Sequence, residues 1–324
     1  MVSMIPNPDA IKTLADIRRG RIAGATNVAI ASLEAIKTYA MSLTLEDPVE
    51  FAKKLHECCD LFCKEPLNIS LRNVIQYVNH RVDSTIDEMV DVETLKHVVA
   101  NSVASCSRSI SESIDKIGEV GARLLIDDGD AIMTHSCSTT VLSILVKAHQ
   151  LGKKFRVIVT ETRPEFHGRL LAIALADFGI PVTLIIDSAH HMFMCKRHLV
   201  SKFRANKVLL GATAVSLEGD AIGKIGSSAI ALAGHQNQIK VYVAANIHKF
   251  IPDPIYDELS FIEMDPSMVF KTNEAIGREI EIKNLAYDVI HHEYIDLIVT
   301  ETDVIPPQKA ILIVREIYGG GRSI

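Results

Sequence analysis

A chain of 324 residues is long enough to bury a full hydrophobic core, as one large domain or two ordinary ones, without disulfides or metals. With 48% apolar and 23% charged residues and a net charge of -6, it is an ordinary globular composition with no field that favours nucleic acid or an anionic membrane. The six cysteines (Cys58, Cys59, Cys63, Cys106, Cys137 and Cys195) lack framework spacing, no signal peptide precedes Pro6-Asn7-Pro8, and no apolar run reaches spanning length; the expected compartment is a reducing cytoplasm, with neither a membrane nor nucleic acid as partner.

From Asp9 to about Asp127 apolar residues recur every three or four positions, as in Ile22, Val28, Ile30, Leu33, Ile36 and Leu43, which predicts a helical bundle. Pro48 and Pro66 mark helix starts or turns. The proline-free stretch from Val92 to Leu125 predicts one long helix that leads toward Gly129. The group His56, Cys58, Cys59 and Cys63 has no zinc-site spacing, because adjacent thiols on a helix point to different faces, so these residues are read as small buried hydrophobes and no metal is expected.

After Asp128-Gly129-Asp130 the rhythm changes to short β-rich runs separated by helix-length stretches: Ala131 to Thr134, Phe155 to Thr160, Val182 to Ile186, Lys207 to Gly211, Lys240 to Ala244 and Leu297 to Thr300. Such alternation implies crossover connections and a parallel sheet covered on both faces. The expected fold is therefore α/β: a helical domain over residues 1–127, then a Rossmann-like doubly wound parallel sheet over residues 128–324 that binds ligand and dimerises.

In such sheets the ligand crevice lies beyond the carboxyl ends of the strands. The residues there are Thr134 to Thr140, Glu161-Thr162-Arg163-Pro164, Asp187-Ser188, Gly211-Ala212-Thr213, Asn246 and Glu301. The first turn offers hydroxyls and backbone N–H groups at a helix start, suited either to an anion or to N-capping by Ser136 or Ser138. Arg163, before Pro164, is placed to clamp a phosphate or to pair with a neighbouring acid. Gly223-Lys224-Ile225-Gly226-Ser227-Ser228 lacks Walker spacing and reads as a loop and helix start. His135 is a candidate base and Cys137 a candidate nucleophile, set against packing. The doublets His190-His191 and His291-His292 are not read as metal ligands, since adjacent residues on regular structure diverge.

Thr134-His135, Thr160 to Pro164 with Gly168, Val182-Thr183 with Asp187-Ser188-Ala189, Gly211-Ala212, Lys224-Ile225-Gly226, Val243-Ala244-Ala245 with Lys249-Phe250, and Ile305-Pro306-Pro307 form an ordered series. That series resembles the translation initiation factor 2B alpha/beta/delta family, whose superfamily includes isomerases of 5-methylthioribose 1-phosphate and of ribose 1,5-bisphosphate. The resemblance implies that the isomerase branch uses a cysteine just after the Thr-His pair and an aspartate in a Gly-Ala-Asp block. Here those positions hold Ser136 and Thr213, and neither hydroxyl titrates near pH 7. Cys137, one residue on, is turned by about 100° relative to that position; Glu218 and Asp220 are the acids nearest the threonine. The isomerases' Arg-Gly-Ala phosphate segment is Arg21-Ile22-Ala23-Gly24-Ala25-Thr26 here, and their Asn-Lys is Gly223-Lys224.

The resemblance leaves a ligand-holding set of His135, Ser136, Ser138, Arg163, Gly168, Arg169, Asp187 and Lys224, and no confident catalytic group beyond the candidates Cys137, Ser136 and Thr213. It implies a non-catalytic subunit of the initiation factor 2B type, a homodimer or larger oligomer, which binds a sugar phosphate or nucleotide, contacts initiation factor 2 and needs no cofactor. Two alternatives stay open: an isomerase of ribose 1,5-bisphosphate or a related aldose phosphate, favoured by Asn284-Leu285-Ala286-Tyr287-Asp288, and a scaffold with a vestigial crevice.

Overall fold

The computed structural model describes residues 8–19, 21–22, 24–63, 69–86, 90–196, 204–252, 262–270 and 280–318. Five helices come first: α1 (Pro8–Arg18), α2 (Ala25–Ser42), α3 (Pro48–Cys63), α4 (Ile69–Ile86) and α5 (Val92–Leu124). Pro48 opens α3, where its missing N–H costs nothing; Pro66 and Ala23 lie outside the described residues. Leu33, Ile36, Phe51, Leu55, Phe62 and Leu95 are fully buried, each contributing about 1.5–3 kcal/mol of apolar burial. Cys58 and Cys59 are in the same core, and burial pushes the Cys58 thiol up to about 12.

The chain divides into two compact units between Glu112 and Ser113, inside α5. The reason is packing. The last turns of α5 lie against α6 (Thr139–Gln150), where Gly121 leaves room for Ile144 and Ser143 Oγ donates to the Ile114 carbonyl at 3.2 Å.

The second unit holds a seven-stranded sheet in the order β10-β9-β7-β4-β1-β2-β3. Its strands are β1 (Ala131–His135), β2 (Arg156–Thr160), β3 (Val182–Ile185), β4 (Lys207–Gly211), β7 (Lys240–Ala244), β9 (Leu297–Val299) and β10 (Val304–Ile305). All neighbours pair in parallel except β10, which is antiparallel to β9. Side chains alternate between two cores with period two. Ile132, Val157, Val159 and Leu209 face Ile144, Leu171 and Leu175 from α6 and α7 (His167–Asp177). Met133, Ile158, Val208, Leu210, Val241 and Val243 face Ile230 and Ala233 of α8 (Ser227–Gln236) and Val314 of α9 (Ala310–Tyr318).

A smaller antiparallel sheet, β5 (Ala214–Val215), β6 (Ala221–Lys224) and β8 (Tyr287–Ile290), was not foreseen. Gly223 and Lys224 therefore belong to a strand, and only Ile225-Gly226 is the turn before α8. None of the described helices is long and apolar enough to cross a membrane.

Candidate functional site

From β1 the chain steps outward to β2 and β3, then returns to build β4 on the other flank of β1. The reversal puts the switch-point crevice beyond the carboxyl ends of β1 and β4, so Ser136, Cys137 and Ser138 lie on one side and Gly211, Ala212 and Thr213 on the other. The two loops touch: a Cβ on Gly211 would sit 2.3 Å from Ser138 Oγ. Ser138 is the N-cap of α6, its Oγ accepting from Val141 N at 3.3 Å, which is the capping role.

His135, at the end of β1, is 4% exposed. Its Nε2 lies 2.8 Å from the Ile225 carbonyl, which only accepts, so the proton is on Nε2; Nδ1 then accepts from Thr160 Oγ1 at 2.6 Å. Burial depresses its pKa. Both nitrogens are committed and the ring is neutral, so His135 holds the β6–α8 turn against β1 and does not present itself as a base. Gly226, at φ +101°, makes that turn possible, since a Cβ there would be 3.0 Å from the imidazole.

The β2 turn is fixed just as firmly. Asp187, which follows β3, accepts from Thr162 N and Arg163 N, each at 2.7 Å, and Thr162 Oγ1 accepts from Ser136 N at 2.9 Å. Among the described residues, four non-glycines have positive φ, and Ser136, Thr162 and Phe166 are three of them. Such a cluster of strained backbone is characteristic of functional sites. A Cβ on Gly168 would sit 1.8 Å from the Thr160 carbonyl oxygen, so only glycine lets α7 begin this close to β2. Arg169 pairs with Glu161 at 2.6 Å and lies 3.8 Å from the Phe166 ring centroid. Arg163 is exposed, 5.2 Å from the same ring, and makes no ion pair to a described residue.

A third group converges from β6 and β8. Lys224 Nζ is in contact with Glu165 Oε2, with side-chain exposures of 14% and 12%. His167 Nδ1 is 3.7 Å from the same carboxylate, its pKa lowered by burial. Lys224 also lies 5.3 Å from the Tyr287 ring centroid, and burial raises the Tyr287 hydroxyl pKa. Asp288 accepts from Gly226 N at 2.8 Å and Ser228 N at 3.2 Å, so its carboxylate occupies the start of α8; burial raises it to about 6 despite those donors.

On the β4 and β7 side, Lys249 is fully buried and donates to the Ala212 carbonyl at 2.7 Å, with its pKa lowered to about 8 by burial. Asn246 is 1% exposed, and neither of its amide atoms has a hydrogen-bond partner among the described residues. Buried amides are rarely orphaned, so Asn246 marks a place suited to a polar guest.

Glu165, His167, Lys249 and Asp288 are thus brought to the crevice rim or its supports alongside Asn246 and the other strand-end residues that the sequence singled out. Cys137 packs against the core beside α6 with its thiol pKa raised by burial, which does not favour it as a nucleophile. Asp220 is buried and its Oδ1 accepts from His292 N at 2.6 Å and from His292 Nδ1 at 2.7 Å, and Glu218 is exposed on the hairpin, so neither is placed as the threonine's substitute. Arg21, in the N-terminal segment, is paired with Asp16 at 3.0 Å.

The sequence pattern of the Initiation factor 2 subunit family matches residues 21–307. Ribose 1,5-bisphosphate isomerases of Pyrococcus furiosus and Thermococcus kodakarensis are 37% and 36% identical over 309 residues, 94% of this chain and 92% of each relative. Of solved structures, the translation initiation factor eIF-2B of Pyrococcus horikoshii superposes with a TM-score of 0.76 at 29% identity, covering 94% of this chain and 99% of that one. These relatives overturn the expectation of a non-catalytic subunit that contacts initiation factor 2. The departures at Ser136 and Thr213 are two positions, whereas the likeness to proteins named as isomerases runs through nearly the whole chain and exceeds the 30% identity to a Pyrococcus horikoshii protein named as a putative initiation factor subunit. With the parallel sheet, the helical N-terminal unit and a match over residues 21–307, the chain belongs to the Initiation factor 2 subunit family.

Proposed function

We propose that the chain is an aldose-phosphate isomerase acting on ribose 1,5-bisphosphate or a close relative of it. The observation that carries this reading is the 36–37% identity to proteins of that name over 94% of the chain. The switch-point crevice supports it, because it supplies the parts that aldose–ketose conversion needs: an anion clamp, a proton carrier, and a cation beside the oxygen that gains charge as the proton moves between C1 and C2.

Elimination assigns the roles. The Asp187 and Asp288 oxygens accept from backbone N–H groups, Lys249 Nζ is held by the Ala212 carbonyl, and His135 is committed on both nitrogens. Among the described residues, Glu165, Lys224 and His167 form ion pairs only with one another, and they keep some exposure. Glu165 is the proton carrier, Lys224 the stabilising cation, and Arg163 the phosphate clamp. Ser136 and Thr213, at the positions where the resemblance places cysteine and aspartate, contribute hydrogen bonds to sugar hydroxyls.

The test is ketose formation from ribose 1,5-bisphosphate followed by NMR in wild type and Glu165→Gln. Turnover in wild type, lost in the variant while the sugar phosphate still shifts the thermal midpoint, supports both the reaction and the assignment. Turnover that survives in the variant overturns the role of Glu165, and its absence in wild type overturns the reaction.

The same reading includes a homodimer. β3 is the sheet's edge strand, and Leu184, Ile186 and, on and just after α7, Leu170, Ile173 and Phe178 are 46–60% exposed. An unpaired apolar edge of this kind is suited to a second copy related by a two-fold axis. A monomeric mass by light scattering would refute it; a dimeric mass that falls in Ile173→Glu is the expected result.

A further inference from the structure

At the end of the small sheet away from Lys224, a second cluster of chemistry-bearing groups is assembled by strand register. β6 and β8 pair antiparallel with Ala221 opposite Ile290, so Asp220 and His291, the next residues outward, are brought side by side. The chain then enters a single 3-10 turn, His292–Tyr294, which returns His292 toward the same carboxylate. Adjacent histidines diverge on regular structure, and the expectation that this doublet would do so fails here because the strand ends at Ile290, before both of them, and His291 is the N-cap of the turn. Their rings stack at 4.4 Å between centroids with 30° between planes.

One ligand atom from each of Asp220, His291 and His292 lies within 4.8 Å of the other two. Asp220 is 4% exposed, and its Oδ1 is fixed by the backbone N–H of His292 at 2.6 Å as well as by His292 Nδ1 at 2.7 Å. The His291 side chain is 48% exposed and that of His292 30% exposed, so the cluster opens to solvent on one side. A zinc ion takes imidazole nitrogen and carboxylate oxygen at about 2.0–2.2 Å in a tetrahedron, which sets ligand atoms a little over 3 Å apart. His292 Nδ1 and Asp220 Oδ1, now hydrogen-bonded at 2.7 Å, would part slightly to take an ion between them, and the exposed His291 ring is the member of the set most open to adjustment. Two imidazoles and one carboxylate are a donor set that suits zinc over magnesium or calcium, with solvent as the fourth ligand.

We propose that Asp220, His291 and His292 bind a divalent transition-metal ion of the zinc class, which ties the β5–β6 hairpin to the end of β8. The ion braces the small sheet that carries Lys224, Tyr287 and Asp288, at the end of its ladder opposite Lys224. The competing account of the same contacts needs no metal: a plain His292–Asp220 ion pair, with His291 Nδ1 paired instead with Glu293 at 3.7 Å.

The probe is Zn²⁺ alone, titrated by calorimetry into the untagged, metal-stripped full chain, with Co²⁺ as a spectroscopic reporter. The expected result is one tight equivalent, cobalt absorption bands of a nitrogen- and oxygen-ligated ion, and a raised thermal midpoint. His291→Ala, a change at an exposed ring, is expected to weaken binding by about tenfold or more and to abolish the thermal shift with the apo midpoint unchanged. Asp220→Asn should weaken it as well. Absence of a stoichiometric equivalent, or binding unchanged in His291→Ala because other histidines or cysteines hold the ion, would overturn the proposal.

Discussion

Replacing Lys224 tests the electrostatics of the crevice most sharply. Lys224 and Glu165 are in direct contact with seven-eighths of each side chain out of solvent, beside the Tyr287 ring and 3.8 Å from Met264 Sδ. Lys224→Met keeps the length of the stem and removes the charge, which leaves the Glu165 carboxylate, among the described residues, with His167 at 3.7 Å as its one ion-pair partner. A buried charge stripped of its partner costs about 3–5 kcal/mol, whereas replacing both members by neutral groups of similar size is close to neutral. The expected outcome at pH 7.5 is a loss of about 3–5 kcal/mol for Lys224→Met and recovery to within about 1 kcal/mol in Glu165→Gln/Lys224→Met. The assay is urea unfolding read from a probe in the second unit, because two compact units need not unfold together. If the single variant loses less than about 1 kcal/mol, or the double loses the sum of the singles, the two groups are not coupled and the proposed proton carrier has lost its physical basis.

Gly168→Ala forces a Cβ to within 1.8 Å of the Thr160 carbonyl, so α7 must move; a loss of about 3 kcal/mol or more in chemical denaturation is expected, and a midpoint near wild type would show that this approach is not rigid. His135, His167 and His248 all have pKa values depressed by burial. The unfolded chain therefore takes up these protons first, and stability should fall as pH drops through about 6.5. Asp288 works in the opposite sense. Its folded pKa, raised to about 6, lets the native state bind the proton first, so stability is recovered as pH falls from about 6 toward 4, and Asp288→Asn should make the acid decline steeper. A urea midpoint flat between pH 7.5 and 6 would contradict the histidine assignment. Ser136→Cys with Thr213→Asp adds a titratable thiol and carboxyl at the two positions where the resemblance places them and should raise turnover by about 10²-fold or more, the scale of one acid–base group; an unchanged rate would mean that neither position lies close enough to the reacting carbons to move a proton.

The large sheet was legible because its strands are buried on both faces and read as continuous runs of Val, Ile and Leu, as in Arg156–Thr160 and Lys207–Gly211. The long α5 was equally plain, but the break between the units inside it was not, since it depends on Gly118 and Gly121 admitting Ser143 and Ile144 from another helix. β5, β6 and β8 are two to four residues long, too short for any periodicity, which is why Gly223-Lys224 passed for a loop. Position along a strand was enough to find His135, Arg163, Asp187 and Thr213. It could not reveal that Asp187 is used up by two backbone amides, or that Lys224 meets Glu165, because both facts arise from turns in three dimensions. Glu165 and His167 carried no motif; their only signal was that they flank Phe166 between a strand end and a helix start.

Incubating the purified wild-type chain with ribose 1,5-bisphosphate and following the sugar carbons by NMR tests the central claim directly. Appearance of the ketose phosphate, at a rate proportional to the amount of chain and lost in Glu165→Gln, is the expected result. A sugar phosphate that shifts the thermal midpoint yet stays an aldose after prolonged incubation would contradict it.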